Sequence, residues 1–188
     1  HIPDGNALGG SGIAINGGVT SINDCIIKNN SVGLNLYQLN GGGGILCGFN
    51  FSDTPLELTV SNSEIYNNSA NIGAAIGALS GNIILDHMLI YNNTGEYGSA
   101  ISLGEPLGLV IDDINMIITQ STITNNLGGF SFGLTDESYL LIANSILWNE
   151  ESDYEITSLP NNSIIDANIF YSDIRLLEGQ VNTESISL

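Results

Sequence analysis

The chain has 188 residues, 43% of them hydrophobic, enough for one domain with a core of its own. Twenty Asp and Glu stand against one lysine, Lys28, and one arginine, Arg175, for a formal net charge of -18. That balance argues against nucleic acid or an anionic lipid surface as a partner, since both need clusters of Lys and Arg. No apolar run approaches the ~20 residues of a membrane helix, so no membrane insertion is expected of this chain. It begins without Met or a charged-then-apolar leader and reads as the mature portion of a larger exported protein.

With 23 Gly and an abundance of Asn, Ser and Ile, the composition disfavours helix and favours short strands between tight turns. In chain order, two signatures alternate. Gly10-Ser-Gly-Ile13 opens the series; Thr20–Asn30 follows, with an apolar strand, a polar corner, an aliphatic residue and paired asparagines. An insertion at about 31–41 separates this block from Gly42-Gly-Gly-Ile45 and then Thr59–Asn68. Gly73-Ala-Ala-Ile76 and Leu85–Asn93 come next, followed by Gly98-Ser-Ala-Ile101. A second insertion at about 104–116 precedes Ile118–Asn126, Gly129-Phe-Ser-Phe132 and Ile142–Glu150.

The blocks align on Asn29, Asn67, Asn92, Asn125 and Asn149. Two residues before each stands Ile27, Ile65, Ile90, Ile123 or Leu147, and seven before stands Ile22, Val60, Leu85, Ile118 or Ile142. The anchors lie 38, 25, 33 and 24 residues apart, so the uninterrupted unit is near 24. A unit of that length holding three short strands is one turn of a parallel β-helix. The predicted fold is all-β, a single-stranded parallel solenoid of about six to seven coils forming one domain over 1–188. Coils stacked about 4.8 Å apart place the aliphatic residues in an internal ladder. The anchoring asparagines form a second ladder at a turn, where Asn tolerates the left-handed conformation.

The alternating motifs resemble the paired repeats of right-handed β-helix surface proteins, above all the polymorphic outer-membrane proteins of chlamydiae, where Gly-Gly-Ala-Ile and Phe-x-x-Asn alternate. Gly73-Ala-Ala-Ile76 and Gly98-Ser-Ala-Ile101 stand for the first motif; Ile65-Tyr-Asn-Asn68 and Ile90-Tyr-Asn-Asn93 stand for the second, with Ile in place of Phe. The end, Asn144-Ser-Ile-Leu-Trp148 and Ile169-Phe-Tyr-Ser-Asp-Ile174, is similar to the last coils of secreted β-helix proteins of Gram-negative bacteria. The resemblance covers roughly 9–175 and implies a right-handed helix within the pectate-lyase-like superfamily, displayed outside the cell. After Ile174, Arg175-Leu-Leu-Glu replaces the glycine pair usual in such proteins.

Since β-helices host lyases and hydrolases as well as adhesins and stalks, the candidate catalytic residues were sought first. Elimination of an acidic polysaccharide needs calcium held by carboxylates and a base, for which only Lys28, inside a repeat block, and Arg175, near the far end, could serve. Hydrolysis needs two carboxylates about 5–9.5 Å apart; Asp112 and Asp113 are the only adjacent Asp pair. The simpler reading makes Asp112 and Asp113 solvated loop carboxylates and Arg175 an exposed charge in a terminal coil. Calcium is the one cofactor the acidity invites, yet no Asp-x-Asp-x-Asp-Gly loop occurs, so no metal site is assigned. His87 takes the corner held by Asp24, Asn62, Gln120 and Asn144 in other blocks and reads as a turn residue. Cys25 and Cys47 are an even pair, open to a bridge or to two separate buried thiols.

A chain given over to ladders is expected to be a non-catalytic extracellular or outer-membrane-surface passenger, acting in adhesion, in carbohydrate or surface recognition, or as a stalk. Its partners would be a polysaccharide or a surface protein. The candidate contacts are Tyr37 in the first insertion and the outward Tyr66, Tyr91 and Trp148, each just before its asparagine. The simpler alternative is that these aromatics only cover a strand edge. The competing classes are a polysaccharide lyase or glycoside hydrolase, and a self-assembling protein stacking end to end or onto neighbouring domains through open strand edges.

Overall fold

The computed structural model describes residues 12–32, 41–48, 54–104, 113–134, 138–158, 166–175 and 186–187. Among these, the strands come in threes. They begin with β1 (Ile13–Ile15), β2 (Gly18–Asn23) and β3 (Ile26–Lys28), then β4 (Ile45–Cys47), β5 (Leu56–Ser61) and β6 (Glu64–Tyr66). Next are β7 (Ile76–Ala78), β8 (Gly81–Asp86) and β9 (Leu89–Tyr91), then β10 (Ile101–Leu103), β11 (Ile114–Thr119) and β12 (Thr122–Thr124). The last are β13 (Gly128–Leu134), β14 (Ser138–Ala143) and β15 (Ile146–Trp148), β16 (Ser152–Ser158), β17 (Asp166–Phe170) and β18 (Asp173–Ile174), and β19 (Ile186–Ser187).

Each strand pairs in parallel with its counterpart one triplet away. Sheet A runs β1-β4-β7-β10-β13-β16, sheet B runs β2-β5-β8-β11-β14-β17-β19, and sheet C runs β3-β6-β9-β12-β15-β18. The described residues contain no helix. Three parallel sheets built this way from successive short strands are the arrangement of a parallel β-helix or solenoid.

The register stacks like on like. Ile22, Val60, Leu85, Ile118, Ile142 and Ile169 form one inner column in sheet B. Ile27, Ile65, Ile90, Ile123, Leu147 and Ile174 form another in sheet C. Sheet A contributes Ile13, Ile45, Ile76, Ile101, Phe132 and Ile156. The central members of all three columns are buried in one continuous core. At roughly 1.5–3 kcal/mol for each large aliphatic side chain buried, these columns are the main driving force for stacking. Ile114, Asn115 and Met116, read above with the second insertion, belong instead to β11, in register with Gly81, Asn82 and Ile83. The bulk of both insertions, 33–40 and 105–112, lies outside the described residues.

Two turns repeat with fixed chemistry. Between sheets B and C, Asp24, Asn62, His87, Gln120, Asn144 and Tyr171 all adopt the left-handed conformation, with φ of 47–55°. The next residue is Cys25, Ser63, Met88, Ser121, Ser145 or Ser172. Where it is serine, its Oγ donates to the carbonyl two residues back, as from Ser121 to Thr119 at 2.7 Å. The same Oγ accepts a backbone N–H from the preceding triplet, as from Met88 to Ser121 at 3.0 Å.

Between sheets C and A the anchoring asparagines Asn29, Asn67, Asn92 and Asn125 make the left-handed bend, with φ of 54–59°, and are exposed. The hydrogen-bonded ladder therefore runs one residue later than predicted, through Asn30, Asn68, Asn93, Asn126 and Asn149. Each of the first four donates its backbone N–H and its Nδ2 to the Oδ1 of the next, at 2.9–3.1 Å. Only the second asparagine points inward, because the left-handed residue before it turns the chain through the corner. Asn149, alone of the five anchors, is itself a ladder member.

The glycine motif makes an arch that folds over sheet A. Gly98 has φ of 68°, and a Cβ there would collide with the carbonyl oxygen of Ile101. The corresponding Gly42 and Gly73 arches help to bury the outer positions Leu46, Gly77 and Ser102. Sheet A is thus buried on both faces over β4, β7 and β10, which leaves the outer faces of sheets B and C open to solvent.

Cys25 and Cys47 are both free. Cys25, in the first triplet among the described residues, is exposed, contrary to an interior placement. Cys47 is buried, and desolvation pushes its thiol up to about 12. We expect one thiol per native chain to react with a maleimide at about pH 8, and two after unfolding. Asn93→Ala should cost about 2–4 kcal/mol in urea melts by stranding buried ladder partners. Asn92→Gly, at the exposed left-handed corner, should change stability by less than about 1 kcal/mol.

Candidate recognition face

On the outer face of sheet C, the middle and flanking residues of each three-residue strand alternate inward and outward. The register brings Lys28, Tyr66, Tyr91, Thr124 and Trp148 into one outward row. A parallel row holds Ile26, Glu64, Leu89, Thr122, Ile146 and Asp173. Ile26, Leu89, Ile146 and Trp148 are exposed, which gives the face an apolar character on an otherwise acidic chain.

Tyr66 and Tyr91 stack, with ring centres 4.6 Å apart and planes inclined by 15°. Coil spacing matches the distance at which aromatic rings attract one another, so the pairing follows directly from the register. Lys28 sits on the other side of Tyr66, its Nζ 5.4 Å from the ring centre, within reach of a cation–π attraction. The Tyr91 hydroxyl donates to Glu64 Oε2 at 3.4 Å. Desolvation first, then the Glu64 charge and Tyr66, hold the Tyr91 phenol above its ordinary range. Trp148 is two strands from Tyr91, beyond Thr124, and its Nε1 donates to Glu150 Oε1 at 3.2 Å. Of the predicted contact residues, the structure brings Tyr66 and Tyr91 together and sets Trp148 apart on the same row. Tyr37 lies outside the described residues.

Arg175 is not an exposed terminal charge. Its side chain is 12% accessible and its Nε donates to Oε1 of Glu155, itself 1% accessible, at 3.2 Å. Its Nη2 donates to the Ser152 carbonyl at 2.6 Å. The two Glu155 oxygens in turn accept the backbone N–H and Nδ2 of Asn149, at 2.6 and 2.7 Å. Glu155 therefore ends the asparagine ladder, and Arg175 balances its charge. The sequence carried a signal for this that the repeat reading passed over. The last block reads Asn149-Glu150, without a second asparagine, so the ladder needed an acceptor from elsewhere.

Asp113 is exposed just before β11, where its carbonyl accepts the Gly81 N–H. Asp112 lies outside the described residues. His87 makes the predicted corner, with its Nδ1 2.8 Å from Asp86 Oδ2. The Thr119 hydroxyl also donates to Asp86, at 2.6 Å. The Thr119 bond, then the His87 contact, hold the Asp86 carboxyl below its usual range. Among the described residues no three His, Cys, Asp or Glu side chains converge as a metal site. No family model, curated protein or solved structure matches the chain.

Arg175→Ala should leave a buried, unpaired carboxylate and cost roughly 3–5 kcal/mol of stability, measured by thermal or urea unfolding. An unchanged melting curve would return Arg175 to the status of a free side chain.

Proposed function

We propose that this chain is a right-handed β-helix of about six to seven coils that serves as a non-catalytic passenger of an exported protein, at the cell surface or outside the cell. Its role in this reading is recognition of a carbohydrate or another surface through the outer face of sheet C. The likeness of its two repeats to those of polymorphic outer-membrane proteins supports the handedness and the location. The observation that carries the recognition role is the outward row built on the half-buried, stacked Tyr66–Tyr91 pair, with the exposed Trp148 further along it. Aromatic side chains held rigidly by a sheet offer contact area at little cost in conformational entropy. Sheet A is wrapped by its arches over β4, β7 and β10, so on these turns the side-chain surface left for a partner lies on sheets B and C. The engagement of Arg175 with Glu155 gives that arginine a structural task and weakens the lyase alternative, in which it was a candidate base.

The reading is tested with a panel of neutral and acidic polysaccharides, with and without calcium, scored for binding and for bond cleavage. We expect binding without cleavage. New reducing or unsaturated ends would replace this reading with the lyase or hydrolase alternative. Silence in both assays would reduce the passenger to a stalk or a protein-binding adhesin.

A further inference from the structure

The aromatic row of sheet C is interrupted once. Lys28 covers one face of Tyr66, Tyr66 covers one face of Tyr91, and the remaining face of Tyr91 looks toward Thr124. Beyond Thr124, on the next strand, stands Trp148. Tyr91 and Trp148 are thus two rungs apart, roughly 10 Å, with one small side chain on the rung between. The Thr124 hydroxyl is turned down onto the Trp148 carbonyl, at 2.8 Å, and so does not rise into the gap.

The gap has the thickness of one saturated ring. Its mid-plane lies about 5 Å from either wall, against the roughly 3.5–4.0 Å of an optimal carbon–carbon contact. A flat ring would leave slack on both sides, whereas a puckered six-membered ring takes it up.

The polar groups at the walls are of one kind. Trp148 donates to Glu150, which puts a carboxylate at the edge of that wall, and Glu64, which accepts from Tyr91, lies one strand further out, beside Tyr66. The chain's two cations lie elsewhere: Lys28 is on the far side of Tyr66, and Arg175 is held by Glu155. Carboxylates accept hydrogen bonds from hydroxyl groups and repel uronate, sulfate or phosphate.

Resting on the recognition role proposed above, we propose that the Thr124 rung between Tyr91 and Trp148 is a subsite for one uncharged pyranose ring of a neutral glycan. The ring's C–H faces meet the aromatic walls, and its hydroxyls donate to Glu150.

Trp148 is the chain's single tryptophan, so its fluorescence reports on this subsite alone. The test titrates the whole chain with cellohexaose, mannohexaose and hexagalacturonate, and follows Trp148 emission alongside calorimetry. A saturable emission change with a neutral hexasaccharide, absent with hexagalacturonate, is the expected result. Thr124→Phe fills the slot from an outward strand position that favours aromatics, and circular dichroism checks that it folds. It should weaken neutral-glycan binding by about tenfold or more, as should Tyr91→Ala, whereas Val19→Ala, on the exposed face of sheet B, should leave it unchanged. Should Thr124→Phe fail to fold, Tyr91→Ala together with the Trp148 emission change decides the point. Glycan binding by calorimetry that leaves Trp148 emission and both slot variants unaffected would overturn the subsite while sparing the recognition role. Equal binding of hexagalacturonate would overturn the neutral assignment. No binding of any hexasaccharide by calorimetry would overturn both.

Discussion

Between sheets C and A the chain turns one asparagine inward per turn, and the side-chain oxygen of each is satisfied by its counterpart in the neighbouring turn. Asn93 accepts two hydrogen bonds from Asn68, gives two to Asn126, and donates from Nδ2 to the carbonyls of Ile65 and Tyr91. A buried amide without partners would cost about 1–3 kcal/mol for each stranded group, so the ladder forms as a whole or not at all. Aliphatic columns tolerate a small slip, because one methyl serves nearly as well as another. The amides do not. A slip by one residue would also turn every strand's inner face outward. The asparagines thus fix the register that the hydrophobic columns then exploit.

A ladder of aligned donors and acceptors has two different ends. Each asparagine donates in the direction of Asn149, so that end needs an acceptor with room for two hydrogens. Glu155 fills the need with both carboxylate oxygens, and burying that charge requires a cation close by. Arg175, one of only two cations in the chain, supplies it. On a chain of net charge -18, placing a scarce cation inside the structure shows how much the capped carboxylate depends on it. The other cation, Lys28, stands at the opposite end of the outward row of sheet C, over Tyr66.

The same register that orders the interior also orders the surface. Because outward residues repeat at the coil spacing, any two aromatics at the same position in adjacent turns are brought within stacking distance, as Tyr66 and Tyr91 are. A small residue at that position opens a gap of defined width, as Thr124 does. The sheets differ in what they can offer. Sheet A is closed by the Gly42, Gly73 and Gly98 arches, each of which passes so near its own strand that a Cβ would strike backbone. Sheet B presents polar pairs such as Asp86 and Thr119 beside scattered aliphatics. Sheet C holds the stacked pair Tyr66 and Tyr91 in an outward row.

The sequence by itself determined that short parallel strands stack in three per turn, because a repeat constrains every turn with the same aliphatic, glycine and asparagine positions. It also determined that Tyr66, Tyr91 and Trp148 share one outward row, since each precedes its anchor by one residue. Tertiary structure decided which asparagine of each pair is buried. Both are asparagines for physical reasons, one for its left-handed backbone and the other for its amide, and spacing cannot tell these apart. It decided the same way for the terminal features. Glu155 and Arg175 lie past the last asparagine anchor, and their pairing depends on chain that folding brings together, whereas Cys25 holds the serine position of its turn and is nonetheless exposed. The gap at Thr124 is of this second kind too: its width comes from two neighbouring strands that the chain brings together only by folding.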